Sequence, residues 1–189
     1  MKKISLIAIL LSGILFLENC KKDTVVASST STSLMIANLR DTSWYTDTVT
    51  SALVYNATAK TKTFTCEGSA NSKKVTISLT KSTSINSSGF PLGTYTVDAT
   101  PNLQLEFLSP KKDSQGNIVY LPNGIVAPGS GTVIVSAVDS VKNQMTGTFQ
   151  FTTLVNNYDH ATGAIISITV TNVTGGGFNK VPYTFTTTP

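Results

Sequence analysis

Residues 131–152, GTVIVSAVDSVKNQMTGTFQFT, decide the fold. Through Thr132–Val138 apolar side chains recur at every second position, so Val133, Val135 and Ala137 share one face of an extended chain. Met145, Phe149 and Phe151 do the same in the next segment, with Thr146, Thr148, Gln150 and Thr152 on the other face. Between the two, Asp139-Ser-Val-Lys-Asn143 has the residue types of a hairpin loop. Two half-solvated strands joined by a short polar loop are antiparallel neighbours.

The same period extends outward in both directions. Ala164, Ile166, Ile168 and Val170 alternate with Ser167, Thr169 and Thr171. Upstream, Phe64 and Cys66 oppose Val75, Ile77 and Leu79 across Gly68–Ser72. Tyr95 with Val97, and Leu103 with Leu105 and Phe107, form two segments split by Thr100-Pro101-Asn102. Residues 33–189 are therefore expected to form one all-β domain of about nine or ten short strands with mostly meander connections, an antiparallel β-sandwich or flattened β-barrel. The predicted core is Val75, Ile77, Tyr95, Leu105, Val133, Val135, Phe149, Phe151, Ile166 and Ile168. The least regular stretch, Pro110–Gly131, reads as a hairpin built on Ile118–Leu121 or as a binding loop. Gly175-Gly-Gly177 reads as a strand bend or bulge, because no Lys-Ser/Thr follows to make a phosphate loop.

Ahead of this domain the chain carries an address. Lys2 and Lys3 precede an apolar run from Ile4 to Leu17, too short for a membrane-spanning helix of about 20 residues and right for a secretory signal peptide over residues 1–19. Cys20 stands at the end of that run, where a bacterial lipoprotein carries its diacylglyceryl thioether. Leu17 fits the usual leucine three residues before the cysteine, whereas Glu18 and Asn19 replace the small residues usually found between. Residues 20–32 then read as the lipidated cysteine and a polar tether, whose twelve residues from Lys21 span about 20 Å. Two or three acyl chains on Cys20 would hold the protein on the membrane. The charged Lys21-Lys-Asp23 behind the cysteine resembles an export signal of surface lipoproteins, so the expected location is the outer membrane, facing outward.

Composition narrows the chemistry. Without Lys2, Lys3 and Glu18, the 14 basic and 10 acidic residues become 12 and 9, a net of +3. No basic run exceeds a Lys-Lys pair, which argues against nucleic acid as a partner. Thirty threonines suit strands with one solvated face. With Cys20 acylated, Cys66 has no partner for a disulfide and is expected to be a small buried hydrophobe. One histidine and one free cysteine cannot make a zinc site, and Asp139 with Asn143, or Asn157 with Asp159, are already explained by turns; neither metal nor cofactor is expected. His160, in Asn156-Asn-Tyr-Asp-His-Ala-Thr-Gly163, is read as an exposed turn residue rather than a catalytic base. Glu67, Asp98 and Glu106, the strand carboxylates a glycosidase would need, fall on outward positions beside threonines. No catalysis is expected.

Taken together, Met35-Ile-Ala-Asn-Leu39 with Trp44, Gly93-Thr-Tyr-Thr-Val97, Gly131-Thr-Val-Ile-Val135 with Asp139, Thr146-Gly-Thr-Phe-Gln-Phe151, Val170-Thr-Asn-Val-Thr174, Gly177-Phe-Asn179 and Val181-Pro-Tyr183 resemble an uncharacterised family of Bacteroidota lipoproteins. The resemblance spans most of residues 33–183. It implies an extracytoplasmic all-β domain of unknown function and brings no catalytic residues with it. The function expected is a non-catalytic surface module, monomeric, in which Tyr120, Tyr158 and Phe90 on loops contact a glycan or protein partner. The alternatives are a purely structural envelope lipoprotein and, if the sheet closes around a cavity, a lipocalin-like carrier.

Overall fold

In the computed structural model, residues 33–100 and 102–189 are described; Cys20 and the signal and tether segments lie outside them. The described residues form two six-stranded sheets and no helix. Sheet A contains β1 (Met35–Leu39), β2 (Thr42–Thr46), β6 (Gly93–Thr96), β9 (Gly131–Asp139), β10 (Gln144–Tyr158) and β11 (Ile165–Pro182), in the order β2-β1-β11-β10-β9-β6. Sheet B contains β3 (Val49–Asn56), β4 (Thr61–Ala70), β5 (Lys73–Ser82), β7 (Leu103–Lys112), β8 (Ile118–Pro122) and β12 (Thr184–Thr188), in the order β12-β3-β4-β5-β7-β8. Only β12 against β3 is parallel. Both sheets keep open edges, so the molecule is a sandwich and not a barrel. Twelve strands exceed the nine or ten expected because five-residue edge strands such as β2 and β12 are too brief to show a period.

Local chemistry sets the hairpins. Arg40 and Asp41, at φ 50° and 63°, close β1–β2, and Asn71 and Ser72, at 50° and 56°, close β4–β5. Two consecutive left-handed residues make the turn whose twist matches that of the paired strands. Three longer reversals are each organised by an aspartate: Asp113, Asp139 and Asp159 accept backbone N–H groups two to four residues downstream at 2.7–3.0 Å.

The core lies between the inner faces and is centred on Phe64, whose ring meets Phe90, Phe178 and Tyr183 at centroid distances of 6.4, 6.3 and 6.1 Å. Val75, Ile77, Leu105, Val133, Val135, Phe149 and Phe151 are buried as expected, and Cys66 is buried beside Met35 with its sulfur 3.6 Å from the thioether. Tyr95 is only half-buried: its ring packs on Phe90 while its hydroxyl donates to Pro91 C=O.

Two expected core residues are not there. Ile166 is 65% exposed and Ile168 56%, and Val170 shares their fate at 52%. Two causes combine, a bulge and the extension of β11 past its neighbours, where Ile165, Ser167 and Thr169 are exposed as well. Between Phe149↔Gly176 and Phe151↔Val173, β11 advances three residues while β10 advances two, with Gly175 at φ 58°. The extra residue reverses the parity of the strand, so Phe178 and Gly176 point inward before it, and Val173 and Thr171 point inward after it. Even-numbered Val170 and Ile168 are thereby sent to the outer face, and a further register shift follows at Ile166. The glycines are required here, since a Cβ on Gly176 would lie 2.4 Å from Phe149 C=O. A second bulge, in β9 opposite Thr146–Gly147, likewise exposes Ala137 and turns Val138 toward the core.

Candidate functional site

Two hairpins outrun the sandwich. β9 pairs with β10 only as far as Phe151, and β1 with β11 only to Val173, yet β10 and β11 continue paired to Tyr158 and Ile165. This free ribbon is about 20 Å long at the rise of an extended strand. β5 accompanies β7 to Leu108, and β7–β8 then continue alone to Lys112 and Ile118. Both ribbons leave from the same end. Asn123 N–H donates to Phe107 C=O on β7 and, two residues on, Ile125 bridges to Leu154 on β10, so residues 123–126 strap the two roots together. β1 enters its sheet opposite Phe178 and runs to Leu39 opposite Val173, toward these ribbons; Ser33 therefore lies upstream of β1, on the side away from them.

The end of the core is marked by a polar rung. Phe151 and Val173 form the last apolar pair, and Thr153 and Thr171, both buried, face each other next. Arg40 Nε closes the rung by donating to Thr171 Oγ1 at 3.0 Å. Beyond it Val155 is the one apolar residue among Asn157, Ser167 and Thr169 on the inner face of the ribbon, with Asn157 Nδ2 donating to Ser167 and Thr169 at 3.0 Å each. Its tip is held by Asp159, whose carboxylate lies below the usual range because Thr162 and then Ala161 donate their N–H groups to it. Asp113 does the same at the other tip, lowered first by the side chain of Asn117.

At the foot of these ribbons the strap and the free margin of β7 enclose an open cleft of about 480 Å³, lined by Val97–Thr100, Leu103–Glu106, Pro122 and Gly124–Val126. Thr80 N–H donates to Asn102 C=O, which sets the alternation of the β5–β7 ladder: even residues of β7 bond β5. The N–H and C=O groups of Leu103 and Leu105 consequently turn toward the cleft. Asp98 and Glu106 both line it. The expectation that each faces outward beside threonines did not place them together; the shared cleft arises because β6 and β7, in different sheets, follow one another in the chain, which sets Asp98 alongside Glu106. Both are exposed and engaged by threonines, Asp98 by Thr100 N–H and Oγ1 at 2.8 and 2.6 Å, Glu106 by Thr76 Oγ1 at 3.2 Å. Glu67 is apart from them, paired with Lys74 at 2.7 Å.

The aromatic contacts divide. Tyr158 is exposed at the end of β10, and Tyr120 lies at the surface of β8 with Lys74 Nζ 4.7 Å from its ring centre, a cation–π arrangement. Phe90 is a correction: at 5% exposure it belongs to the core, because its loop folds inward over Phe64 and is fixed from below by Lys62, whose ammonium donates to Gly89 C=O at 2.6 Å and Ser87 Oγ at 3.1 Å. Lys62 is itself buried, which pulls its pKa down. His160 is exposed in the tip turn of β10–β11. Sequence reading missed the aliphatic outer face of the ribbon, since a run such as Ile165–Val170 looks like core until the bulge at Gly175 is known.

A domain of unknown function, DUF6252, matches residues 35–182. No curated protein and no solved structure matches significantly.

Proposed function

We propose that this chain, which belongs to the DUF6252 family of domains of unknown function, is a lipid-anchored binding module of the Bacteroidota outer membrane that engages a glycan or protein partner without catalysis. The observation that carries the reading is the pairing of two projecting ribbons with an open cleft at one end, away from where the chain enters β1. Loops and ribbons mounted on a rigid sandwich suit recognition, which needs shape, aromatic surface and backbone groups rather than a tuned acid or base. Tyr120 offers a ring flanked by Lys74, Tyr158 an exposed ring at a tip, and the cleft supplies unpaired strand backbone beside Asp98 and Glu106. Anchorage rests on Cys20 at the end of its apolar run and on the family resemblance.

The test is a glycan array and an envelope pull-down with the full chain, repeated with Tyr120→Ala, Tyr158→Ala and the double variant Asp98→Asn/Glu106→Gln. Specific capture that is weakened by these changes supports the reading. Turnover of a glycoside or ester panel that disappears in Asp98→Asn/Glu106→Gln would replace it with an enzymatic one.

A further inference from the structure

We propose that the free outer edge of β11, from Ile166 to Val170, pairs with the same edge of a second copy of this chain, antiparallel about a two-fold axis beside Ser167 and Ile168. Arg40 N–H donates to Asn172 C=O, which therefore points away from β10. From Asn172 to Ser167 the β10–β11 ladder is regular, so the N–H and C=O of Val170 and Ile168 point the same way; a register shift then leaves Ile166 without a partner on β10. Past Asn172 no described strand lies on that side, because β1 ends at Leu39. Ile165–Thr171 contains no charge, proline or glycine to keep such an edge from pairing, and the register shift at Ile166 lies past the two residues whose groups are free.

Val170 and Ile168, which carry the free backbone groups, also expose their aliphatic side chains, at 52% and 56%, with Ile166 beside them at 65%. That coincidence makes the edge complementary to itself. With the axis at Ser167, Ile168 meets Ile166 of the other copy and Ser167 meets Ser167; with the axis at Ile168, Ile168 meets Ile168, Ile166 meets Val170 and Ser167 meets Thr169. Either register sets aliphatic against aliphatic and hydroxyl against hydroxyl while filling the open hydrogen bonds. An isologous contact of this kind closes at two copies. It runs against the expectation of a monomer and is independent of any ligand at the cleft.

The experiment uses the full chain in detergent. Light scattering should give a protein mass twice that of one chain, falling to one chain in Ile168→Lys, which sets like charges against each other at the axis, with the far-ultraviolet circular dichroism of the folded chain unchanged. Mild oxidation of Ser167→Cys or Ile168→Cys should yield a covalent dimer above the background of the parent thiols, while Val141→Cys, exposed on the β9–β10 loop, and Asn157→Cys, on the neighbouring strand, should not. A single-chain mass at every concentration without cross-linking at 167 or 168 would overturn the proposal. So would cross-linking of those cysteines to a different protein in whole envelopes while the purified chain stays single.

Discussion

Among single residues, Lys62 shows most clearly how a side chain at odds with its surroundings is accommodated. It occupies an inward position of β4, in phase with Phe64 and Cys66, and its ammonium holds the Ser87–Gly89 segment that seats Phe90. Lys62→Met keeps the volume and removes charge-assisted hydrogen bonds, and is expected to lower stability by about 1.5–3 kcal/mol in denaturant unfolding. Cys66 is the opposite case, legible from its face alone. Burial, with Glu67 adding a smaller repulsion, pushes its thiol up to about 12, so at neutral pH the thiolate is scarce in the folded chain. Thiol-specific alkylation followed by peptide mass spectrometry should leave Cys66 unmodified until denaturant is added; labelling in the native protein would contradict its placement.

Hairpins are the scale at which local chemistry and tertiary packing part company. The aspartate turns are local and could be read from Asp139–Asn143 and Asn156–Gly163. Because the Asp159 carboxylate is held below its ordinary value of 3.8, its support for the tip is complete above that value and is lost as pH falls through the lowered one. NMR shifts of the Ala161 and Thr162 amides should thus titrate with a midpoint below 3.8 and become insensitive in Asp159→Asn. Which face a strand buries is another matter. Phe149→Ala should cost about 3–5 kcal/mol, as for a ring removed from a packed core. Ile166→Ser, at a residue that looks equally core-like in sequence, should change the stability of the dilute chain by no more than about 0.5 kcal/mol. Equal losses would contradict the exposure of Ile166.

Viewed whole, the molecule is an open sandwich with chain entry on one side and two ribbons on the other, and its attachment is the remaining prediction. Cys20→Ser should prevent acylation, leaving unprocessed precursor or released protein in fractionated cells, and mass spectrometry of the native N-terminus should find a diacylglyceryl Cys20. Recovery of an unacylated chain beginning elsewhere would remove the anchor from the proposal. The period of two in residues 131–152 by itself determined the strand class, the antiparallel hairpin and its core face of Val133, Val135, Met145, Phe149 and Phe151, because alternation and turn residues act over a few neighbours. The burial of Cys66 and the bulge-forming role of Gly175–Gly177 were legible for the same reason. Three things only the tertiary structure decided. The parity of β11 beyond Gly175 depends on how many residues each of two paired strands spends between shared contacts, a quantity neither strand contains alone. The burial of Phe90 depends on a buried lysine on β4, and the meeting of Asp98 with Glu106 depends on the connection from β6, an edge strand of one sheet, to the first half of β7 in the other, which β8 leaves uncovered.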